Sequence, residues 1–318
     1  MHFSAVSDPT VPAASRLTTL ELYDHGHAQD YDTFDESGLW DHFTLFGGSA
    51  PLLTMEELEL THHPEELRSS WAEFTTTLRK APTLQKLNVL GSGPAHDRLA
   101  WFMEISPPAD LNVPIQLVRV TDLALAYMFS SRATWFIHKS IFPTLENLVL
   151  HFAGDEDYTQ LVQELARPAI SSSPAQESRS LLSGLENLKI AGLPCRTECV
   201  QTLHGELQNL VSLDISMSYL DPLFLDILST SRTLPGCGGI WLPRLTTLYV
   251  SGTSGSALRE VVSKRNEVGV PLGSLYVEED CDVHDEDVAW LKNNVEMFEF
   301  FEERDDDVIG GAGLVTDV

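Results

Sequence analysis

The chain has 318 residues, 47 of them acidic and 20 basic, which gives a formal net charge of −27. Its 43% apolar content is typical of a folded globular protein despite this charge. Because so acidic a surface repels phosphate backbones and anionic membranes, we expect neither nucleic-acid binding nor membrane binding.

The N-terminal residues carry no secretory signal that the sequence reveals, because Asp8, Pro9 and Pro12 interrupt any apolar run. No uncharged stretch is long and apolar enough to predict a membrane-spanning helix. The cysteines lack the dense spacing of a disulfide framework, which is typical of a reducing compartment. They are Cys195, Cys199, Cys237 and Cys281. We therefore expect a cytoplasmic or nuclear protein.

A short pattern, apolar-x-x-apolar-x-apolar, recurs from one end of the chain to the other. Its strict leucine form occurs eight times, whereas a random sequence of this composition would contain it about twice. One strict copy, Leu220–Leu225, is better assigned to a helix, because Asp221 and Pro222 form a helix start signal. Ten candidate units, spaced 23 to 40 residues apart, begin at Leu17, Met55, Leu84, Val120, Leu145, Leu185, Leu210, Leu245, Leu272 and Val295.

Segments with helical periodicity lie between these apolar runs. Leu67, Trp71, Phe74 and Leu78, for example, recur at spacings that put them on one helix face. Similar faces are formed by Tyr158, Leu161, Val162 and Leu165; by Val200, Leu203 and Leu207; by Leu258, Val261 and Val262; and by Val288, Ala289 and Leu291. A chain that alternates strand and helix predicts an α/β fold with parallel strands rather than hairpins.

One strand and one helix cannot bury their leucines alone, but stacked copies place them in a continuous interior. The sequence therefore predicts an α/β solenoid with short parallel strands on its concave side and helices on its convex side. Pro82, Pro143 and Pro243 each precede the first leucine of a unit by two residues, where a missing backbone donor suits the start of a strand.

The P-x-L-x-x-L-x-[LV] units at these prolines, and the closing stretch from Ser256 to Glu303, resemble the irregular-repeat F-box/leucine-rich repeat proteins of mushroom-forming fungi. The resemblance covers Leu17 to Glu303. It implies a leucine-rich repeat horseshoe that serves as the substrate-recognition part of a ubiquitin-ligase receptor. Two features depart from the family: the consensus Asn or Cys after each strand is not kept, and no F-box is found in the chain. The chain is then either a fragment or degenerate gene model, or a relative that kept the recognition array and lost this docking module.

The repeats divide the chain into an N-terminal extension (residues 1–16), a leucine-rich repeat array of about ten irregular units (17–303) and an acidic, Gly-rich tail (304–318). Residues between the leucines of a strand should face the concave side, where such arrays bind partners. These candidate partner-binding residues are Glu21, Tyr23, Glu57, Glu59, Lys86, Asn88, Asp122, Asn147, His151, Asn187, Lys189, Asp214, Tyr249, Tyr276, Glu278, Glu299 and Phe301.

The C-terminal group among them combines Tyr249, Tyr276 and Phe301 with the acidic Glu278 and Glu299. Aromatic anchors with a charged rim suit a protein target that carries basic and apolar residues. The alternative is that these are ordinary solvated strand positions.

Nothing in the sequence predicts catalysis, a cofactor or a metal. Nucleophile-elbow, Walker and dinucleotide-binding motifs are not found. The acidic run from Glu278 to Asp287 fits no calcium loop and suits a solvated loop and helix cap, and Cys195 and Cys199 lack further zinc ligands nearby. We therefore expect a non-catalytic protein-binding module. A ligase adaptor is expected as a partner only if an F-box lies upstream. The alternative is a free-standing leucine-rich repeat scaffold or adaptor unrelated to ubiquitin.

Overall fold

A computed structural model describes residues 18–23, 52–63, 68–94, 114–152, 156–168, 179–216, 222–232 and 239–302. The described residues fall into two compact units. Unit one contains the residues up to Met128 together with His138–Thr144, and unit two contains Phe129–Ile137 together with the residues from Leu145 onward.

In its described part, unit one is built around four parallel strands with a helix between the second and third. Its elements in chain order are β1 (Thr19–Tyr23), β2 (Glu57–Thr61), α1 (Trp71–Arg79), β3 (Lys86–Leu90), β4 (Ile115–Gln116), β5 (Asp122–Ala126) and β6 (Ser140–Ile141). Strands β1, β2, β3 and β5 pair in that order, and the short β4 pairs in parallel with β6.

Unit two, over the ranges that the structure describes, alternates six parallel strands with helices. Its elements in chain order are α2 (Ser130–His138, all but its last residue in this unit), β7 (Asn147–His151), α3 (Thr159–Ala166), β8 (Asn187–Ala191), α4 (Thr197–Glu206), β9 (Ser212–Ile215), α5 (Leu223–Asp226), β10 (Ser231–Arg232), β11 (Gly239–Ile240), β12 (Thr247–Val250), α6 (Gly255–Glu267), β13 (Ser274–Glu278), α7 (Asp285–Lys292) and β14 (Met297–Phe301). The sheet order is β7-β8-β9-β12-β13-β14, and β10 pairs with β11 in an antiparallel ribbon.

The repeat pattern becomes the core of each unit because the strands pair in register. In unit two, the second leucine of each repeat lies directly beside its counterpart in the next strand, and the whole series is buried. The series is Leu148, Leu188, Leu213, Leu248 and Leu275. Burying each such side chain contributes about 1.5–3 kcal/mol. The predicted α/β alternation of parallel strands and helices is confirmed.

Each repeat unit, from the start of one repeat strand to the start of the next, is called a coil below. A ladder of backbone hydrogen bonds joins consecutive coils where each strand begins. Two successive N–H groups donate to one carbonyl of the preceding coil, as Gln85 and Lys86 do to the Glu56 oxygen at 2.8 and 3.0 Å. The same arrangement links Glu186 and Asn187 to Glu146. The other carbonyl groups that accept two successive N–H groups in this way belong to Thr18, Gln85, Glu186, Val211 and Thr246. Because only main-chain atoms take part, the coils stay connected without a fixed polar residue such as the consensus asparagine.

Threonine reinforces this connection in two of the proline-containing repeats. The hydroxyl of Thr83, next to Pro82, lies 3.0 and 2.9 Å from the carbonyl oxygens of Leu53 and Met55. Thr144, next to Pro143, repeats the arrangement on two carbonyls of its own preceding coil, both at 3.1 Å. The Pro-Thr-Leu sequence therefore marks a coil junction within unit one.

Most predicted helix faces are buried as expected. Trp71, Phe74 and Leu78 of α1 are buried, and α1 starts with a capping box between Ser70 and Glu73. The faces predicted on α3, α4 and α6 are buried in full. Residues 223–226 are helical, as the start signal at Pro222 predicted, whereas Leu67 lies outside the described residues.

The prediction fails in part for the last two elements. In α7 only Leu291 of the predicted face is buried, while Val288 is half-buried and Ala289 is exposed. The apolar positions of β14, Phe298 and Phe300, are likewise not buried. Periodicity identifies the apolar face of a helix or strand, but the burial of that face depends on the next coil packing against it. Among the described residues, no coil follows β14.

The guanidinium of Arg265 in α6 stabilises the turn that precedes β12. The side chain is fully buried and donates hydrogen bonds to the carbonyl oxygens of Trp241 (3.2 Å), Leu242 (3.1 Å) and Leu245 (2.8 Å). Leu242 has a φ of 49°, a left-handed conformation that non-glycine residues rarely adopt. Burial lowers the pKa of Arg265 to about 10, so the group is still charged at neutral pH. The side chain thus fixes a strained turn by satisfying its carbonyl groups.

We predict that Arg265→Met lowers the free energy of unfolding by roughly 3 kcal/mol or more, because three carbonyl oxygens each lose a charged donor. The Leu242 oxygen keeps its backbone hydrogen bond from the Leu245 N–H. The neighbouring Lys264→Met is the control. Lys264 makes only a partly exposed ion pair with Glu267 at 3.6 Å, so its loss should change stability by no more than about 0.5 kcal/mol. Urea denaturation of both variants measures the difference, and equal midpoints would contradict the role of Arg265.

A second buried ionisable group, His204 of α4, sits in the apolar interior of unit two. Its Nδ1 lies 2.9 Å from the Val200 carbonyl oxygen, which accepts a hydrogen bond from the ring, and its ring centroid is 6.1 Å from that of Phe224. Burial lowers the pKa of His204 to about 4. The imidazole is therefore neutral in the folded protein at any pH well above that value.

Acid should destabilise the fold through His204. Above about pH 6.5 the ring is neutral in both the folded and the unfolded chain, but below it only the unfolded chain takes up the proton. Stability is then lost as the pH falls from about 6.5 towards 4, by about 2–3 kcal/mol. In His204→Asn, which keeps a donor near the Nδ1 position, this contribution is absent. Denaturation curves measured across that range should show that the difference in free energy of unfolding between wild type and variant narrows on acidification. A difference that does not change with pH would refute the assignment.

Candidate functional site

The strand register of unit two places one residue from each strand in a row on the sheet face opposite the leucines. The row is Val149, Lys189, Asp214, Tyr249, Tyr276 and Glu299. Successive side chains of a strand point to opposite faces, so this row follows directly from the burial of the leucine positions. All of its members except Val149 are predicted site residues.

Three predicted aromatic residues come together at the β12–β14 end of this row. The rings of Tyr249 and Tyr276 stack with centroids 4.4 Å apart and planes 8° apart, and Phe301 meets Tyr249 edge to face at 6.2 Å. The Tyr276 hydroxyl donates a hydrogen bond to Sδ of Met297 at 3.0 Å. We call these four residues the aromatic patch. Its three rings are half-buried and Met297 is 44% exposed, so the patch is both fixed and accessible.

Carboxylates surround the aromatic patch. Asp214 is next to Tyr249 in register, Glu299 is next to Tyr276, and Glu278 is next to Phe301. Burial raises the pKa of the Tyr249 hydroxyl, and the charges of Tyr276, Asp214 and Glu299 raise it further. Burial is the larger cause of this shift, and the smaller contribution of the neighbouring charges agrees with a negative electrostatic potential at the rings.

These carboxylates differ in their partners. Asp214 pairs with Lys189 at 3.3 Å. In the described part of the chain, by contrast, no cationic side chain pairs with Glu278 or Glu299. These two carboxylates and the aromatic faces together favour a positively charged group.

The other predicted residues of unit two interact with one another. The Asn187 amide donates to Oδ1 of Asn147 at 2.6 Å. His151 is buried, and its pKa is lowered by burial and, to a smaller extent, by the charge of Lys189. Near the β7–β8 end of the row, these polar side chains therefore contact one another rather than form an aromatic surface.

In unit one the predicted residues are largely satisfied within the unit. Glu59 and Asn88 are only 5% and 3% exposed, and the Asn88 amide donates to Glu59 Oε2 at 3.0 Å. Lys86 pairs with Glu57 at 2.6 Å, and Asp122 Oδ2 accepts a 2.6 Å hydrogen bond from the Thr121 hydroxyl. Glu59 and Asn88 are therefore inaccessible to a ligand, whereas the paired side chains of Lys86 and Glu57 remain 27% and 28% exposed.

Glu21 and Tyr23 lie in β1, in register with Glu59 and Thr61, but their side chains are outside the described residues. Met297 was not among the residues predicted from the sequence. It shares a face with Glu299 and accepts the hydrogen bond from the Tyr276 hydroxyl. Alternation along Met297–Phe301 contains the signal that identifies it, since residues two apart in a strand point to the same face.

The acidic run after β13 leads into the start of α7. Asp285, Glu286 and Asp287 occupy its first turn, where carboxylates interact favourably with the helix dipole. Asp287 also pairs with Arg259 at 3.1 Å. Across the described ranges, no three His, Cys, Asp or Glu side chains cluster as metal ligands would.

The two cysteines of the Cys-Arg-Thr-Glu-Cys segment differ in burial. Cys195 is half-buried, whereas Cys199 is buried with its Sγ 4.0 Å from the Thr159 carbonyl oxygen.

None of the helices in the described ranges combines the length and the apolarity that crossing a bilayer requires.

Comparison of the sequence with protein-family models finds no match, and a search among curated protein sequences finds none either. The resemblance to F-box/leucine-rich repeat proteins therefore stays a prediction made from the repeat residues.

We predict that Asp214→Asn lowers the pKa of Tyr249 from its wild-type value. The change removes one negative charge and frees the positive charge of Lys189, and both effects favour the tyrosinate. The pKa should still remain above that of a free tyrosine because burial, its largest cause, is unchanged. Titration by NMR of ring-labelled tyrosine measures the shift. Glu57→Gln in unit one is the control, and an unchanged or higher Tyr249 pKa in Asp214→Asn would contradict the electrostatic picture.

Proposed function

We propose that this chain is a non-catalytic protein-binding module and that the aromatic patch, with its surrounding carboxylates, is its recognition surface. The observation that carries the proposal is the half-exposed stack of Tyr249 on Tyr276, beside Glu278 and Glu299, which pair with no cationic side chain of the described residues. Tyrosine and phenylalanine are enriched at protein interfaces, where a few such anchors supply most of the binding energy.

The chemistry of the patch favours a partner segment with basic and apolar residues. A lysine or arginine over a tyrosine face gains about 0.5–2 kcal/mol from the ring, and Glu278 or Glu299 can pair with the same charge. The net charge of −27 also attracts a cationic partner over a distance, which raises its association rate. Acidic partners are repelled by the same field.

The patch is also preorganised for binding. Its side chains project from the adjacent parallel strands β12, β13 and β14, and the Tyr276–Met297 hydrogen bond holds one ring in place. A surface that is already ordered loses less conformational entropy when a partner binds.

For the finer architecture, we infer a leucine-rich repeat solenoid with strands on its concave side and helices on its convex side. The inference is supported by the alternation of parallel strand and helix and by burial of the second repeat position in each repeat strand before β14, from Leu20 to Leu275. The sequence resemblance implies that such a surface recognises the substrate of a ubiquitin ligase. Co-purification with a ligase adaptor tests that link, and a scaffold unrelated to ubiquitin would not retain the adaptor.

We predict that the triple variant Tyr249→Ala/Tyr276→Ala/Phe301→Ala loses its partner, with affinity reduced roughly a hundredfold, because two or more anchors of about 1.5 kcal/mol each are removed. Affinity capture from cells with quantitative mass spectrometry identifies the prey, and titration with the purified prey gives the dissociation constant. Raising the salt concentration should also weaken binding.

The matched control replaces three apolar residues that are exposed elsewhere: Val118→Ala/Phe129→Ala/Val268→Ala. This variant loses a similar kind of surface but should keep wild-type affinity. Prey retained equally by the patch variant and by the wild type would exclude the patch as the recognition surface.

A further inference from the structure

Strand β14 is the last strand of the unit-two sheet, and no strand of the described residues pairs with its outer edge. The outer edge of such a strand presents N–H and C=O groups that can pair with a further strand. In β14 this edge adjoins the aromatic patch, because Met297 and Phe301 belong to both.

The hydrogen bonds to the preceding coil show which groups point outward. Met297 donates its N–H to the Gly273 carbonyl at 2.9 Å, and the Phe301 carbonyl accepts from the Glu279 N–H at 3.1 Å. Alternate residues of a strand pair with opposite neighbours, so Met297, Glu299 and Phe301 pair with β13. The N–H and C=O groups of Phe298 and Phe300 therefore point away from the sheet and offer both donors and acceptors.

The side chains of the same two residues expose apolar surface at this edge. Phe298 and Phe300 occupy the repeat positions that Leu275 and Val277 hold in the preceding coil, where both are fully buried. The two phenylalanine rings meet edge to face at 5.2 Å, and Phe300 is 39% exposed. One more strand alongside β14 would cover these rings in the way that β14 covers Leu275 and Val277 of β13.

The opposite face of β14 and its two ends are acidic. Glu299 is exposed beside Tyr276, and the exposed Glu296 and Glu302 flank the strand. A strand added here meets apolar surface on one face and a carboxylate on the other, with a further carboxylate at each end.

We propose that this edge accepts an extended segment of a partner protein as an additional strand. The segment has the pattern apolar-basic-apolar: its apolar residues cover Phe298 and Phe300, and the lysine or arginine between them lies beside Glu299. Further basic residues at its ends face Glu296 and Glu302. This inference rests on the proposed function and specifies it, since the basic side chain lies at the border of the aromatic patch.

A second copy of this chain is a poorer occupant of the edge. Antiparallel pairing of two β14 strands about their centres brings Glu299 against its counterpart and Glu296 towards Glu302. Like charges placed opposite each other in a sheet are destabilising, and each chain carries a net charge of −27. A basic segment turns the same contacts into favourable ones.

The test uses a fluorescent probe peptide, Lys-Val-Ile-Arg-Ile-Val-Lys, titrated with the full chain by fluorescence anisotropy. Two further peptides carry backbone N-methyl groups, one on both isoleucines and the other on the arginine and the second valine. A peptide that adds as a strand turns only one of these two sets of amides towards β14. We expect one methylated peptide to lose affinity roughly tenfold or more and the other to keep it, because two backbone hydrogen bonds are removed in only one case.

Charge reversal on the protein gives an independent measurement. Glu299→Lys should weaken the unmodified peptide roughly tenfold and improve binding of a peptide in which glutamate replaces the central arginine. The control Glu260→Lys, which reverses an exposed carboxylate on α6, should leave both affinities unchanged.

Equal affinity of the two methylated peptides would overturn strand addition. If the triple aromatic variant still lost the peptide in that case, the proposed recognition surface would stand and only the strand inference would fall. Failure of the unmodified peptide to bind would also overturn the inference. A doubled mass by analytical ultracentrifugation in that case would identify a copy of this chain as the occupant of the edge.

Discussion

In-register pairing of the parallel strands is the constraint on which both units depend. It sets each repeat leucine beside the next, so that every coil covers apolar surface that its neighbour cannot bury alone. A slip of one residue in any strand would turn its leucines to the opposite face and bring its polar residues inward. The same register aligns Tyr249 with Tyr276 and Tyr276 with Glu299, so the proposed recognition surface and the core have a single geometric origin.

Features that depend on local periodicity could be predicted from the sequence, because they require no knowledge of distant contacts. The strands, the faces of α1, α3, α4 and α6, and the grouping of Tyr249, Tyr276 and Phe301 all follow from spacing along the chain. Features that depend on what covers a face could not be predicted. Glu59 and Asn88 alternate in the same way as Glu299, yet they are buried and hydrogen-bonded to each other.

The buried charge of Arg265 illustrates a second limit of the sequence pattern. An arginine near the end of a helix normally suggests a solvated side chain, since charged residues are rarely fully buried. Here its partners are the carbonyl groups of Trp241, Leu242 and Leu245, which lie between 20 and 24 residues earlier in the chain. Neither composition nor periodicity contains that contact, which arises only when α6 packs over the start of β12.

The backbone ladder at the coil junctions does not itself constrain the size or sequence of the segments that connect the strands. The accepting residues differ in size and charge, and consecutive repeats begin 23 to 40 residues apart. Insertions on the helical side can accumulate without disturbing the sheet, because the ladder uses only main-chain atoms and side chains such as Thr83 and Thr144 merely reinforce it. Such a scaffold can diverge quickly in its connecting segments while the spacing of its strand residues, and hence the layout of a binding face, stays the same.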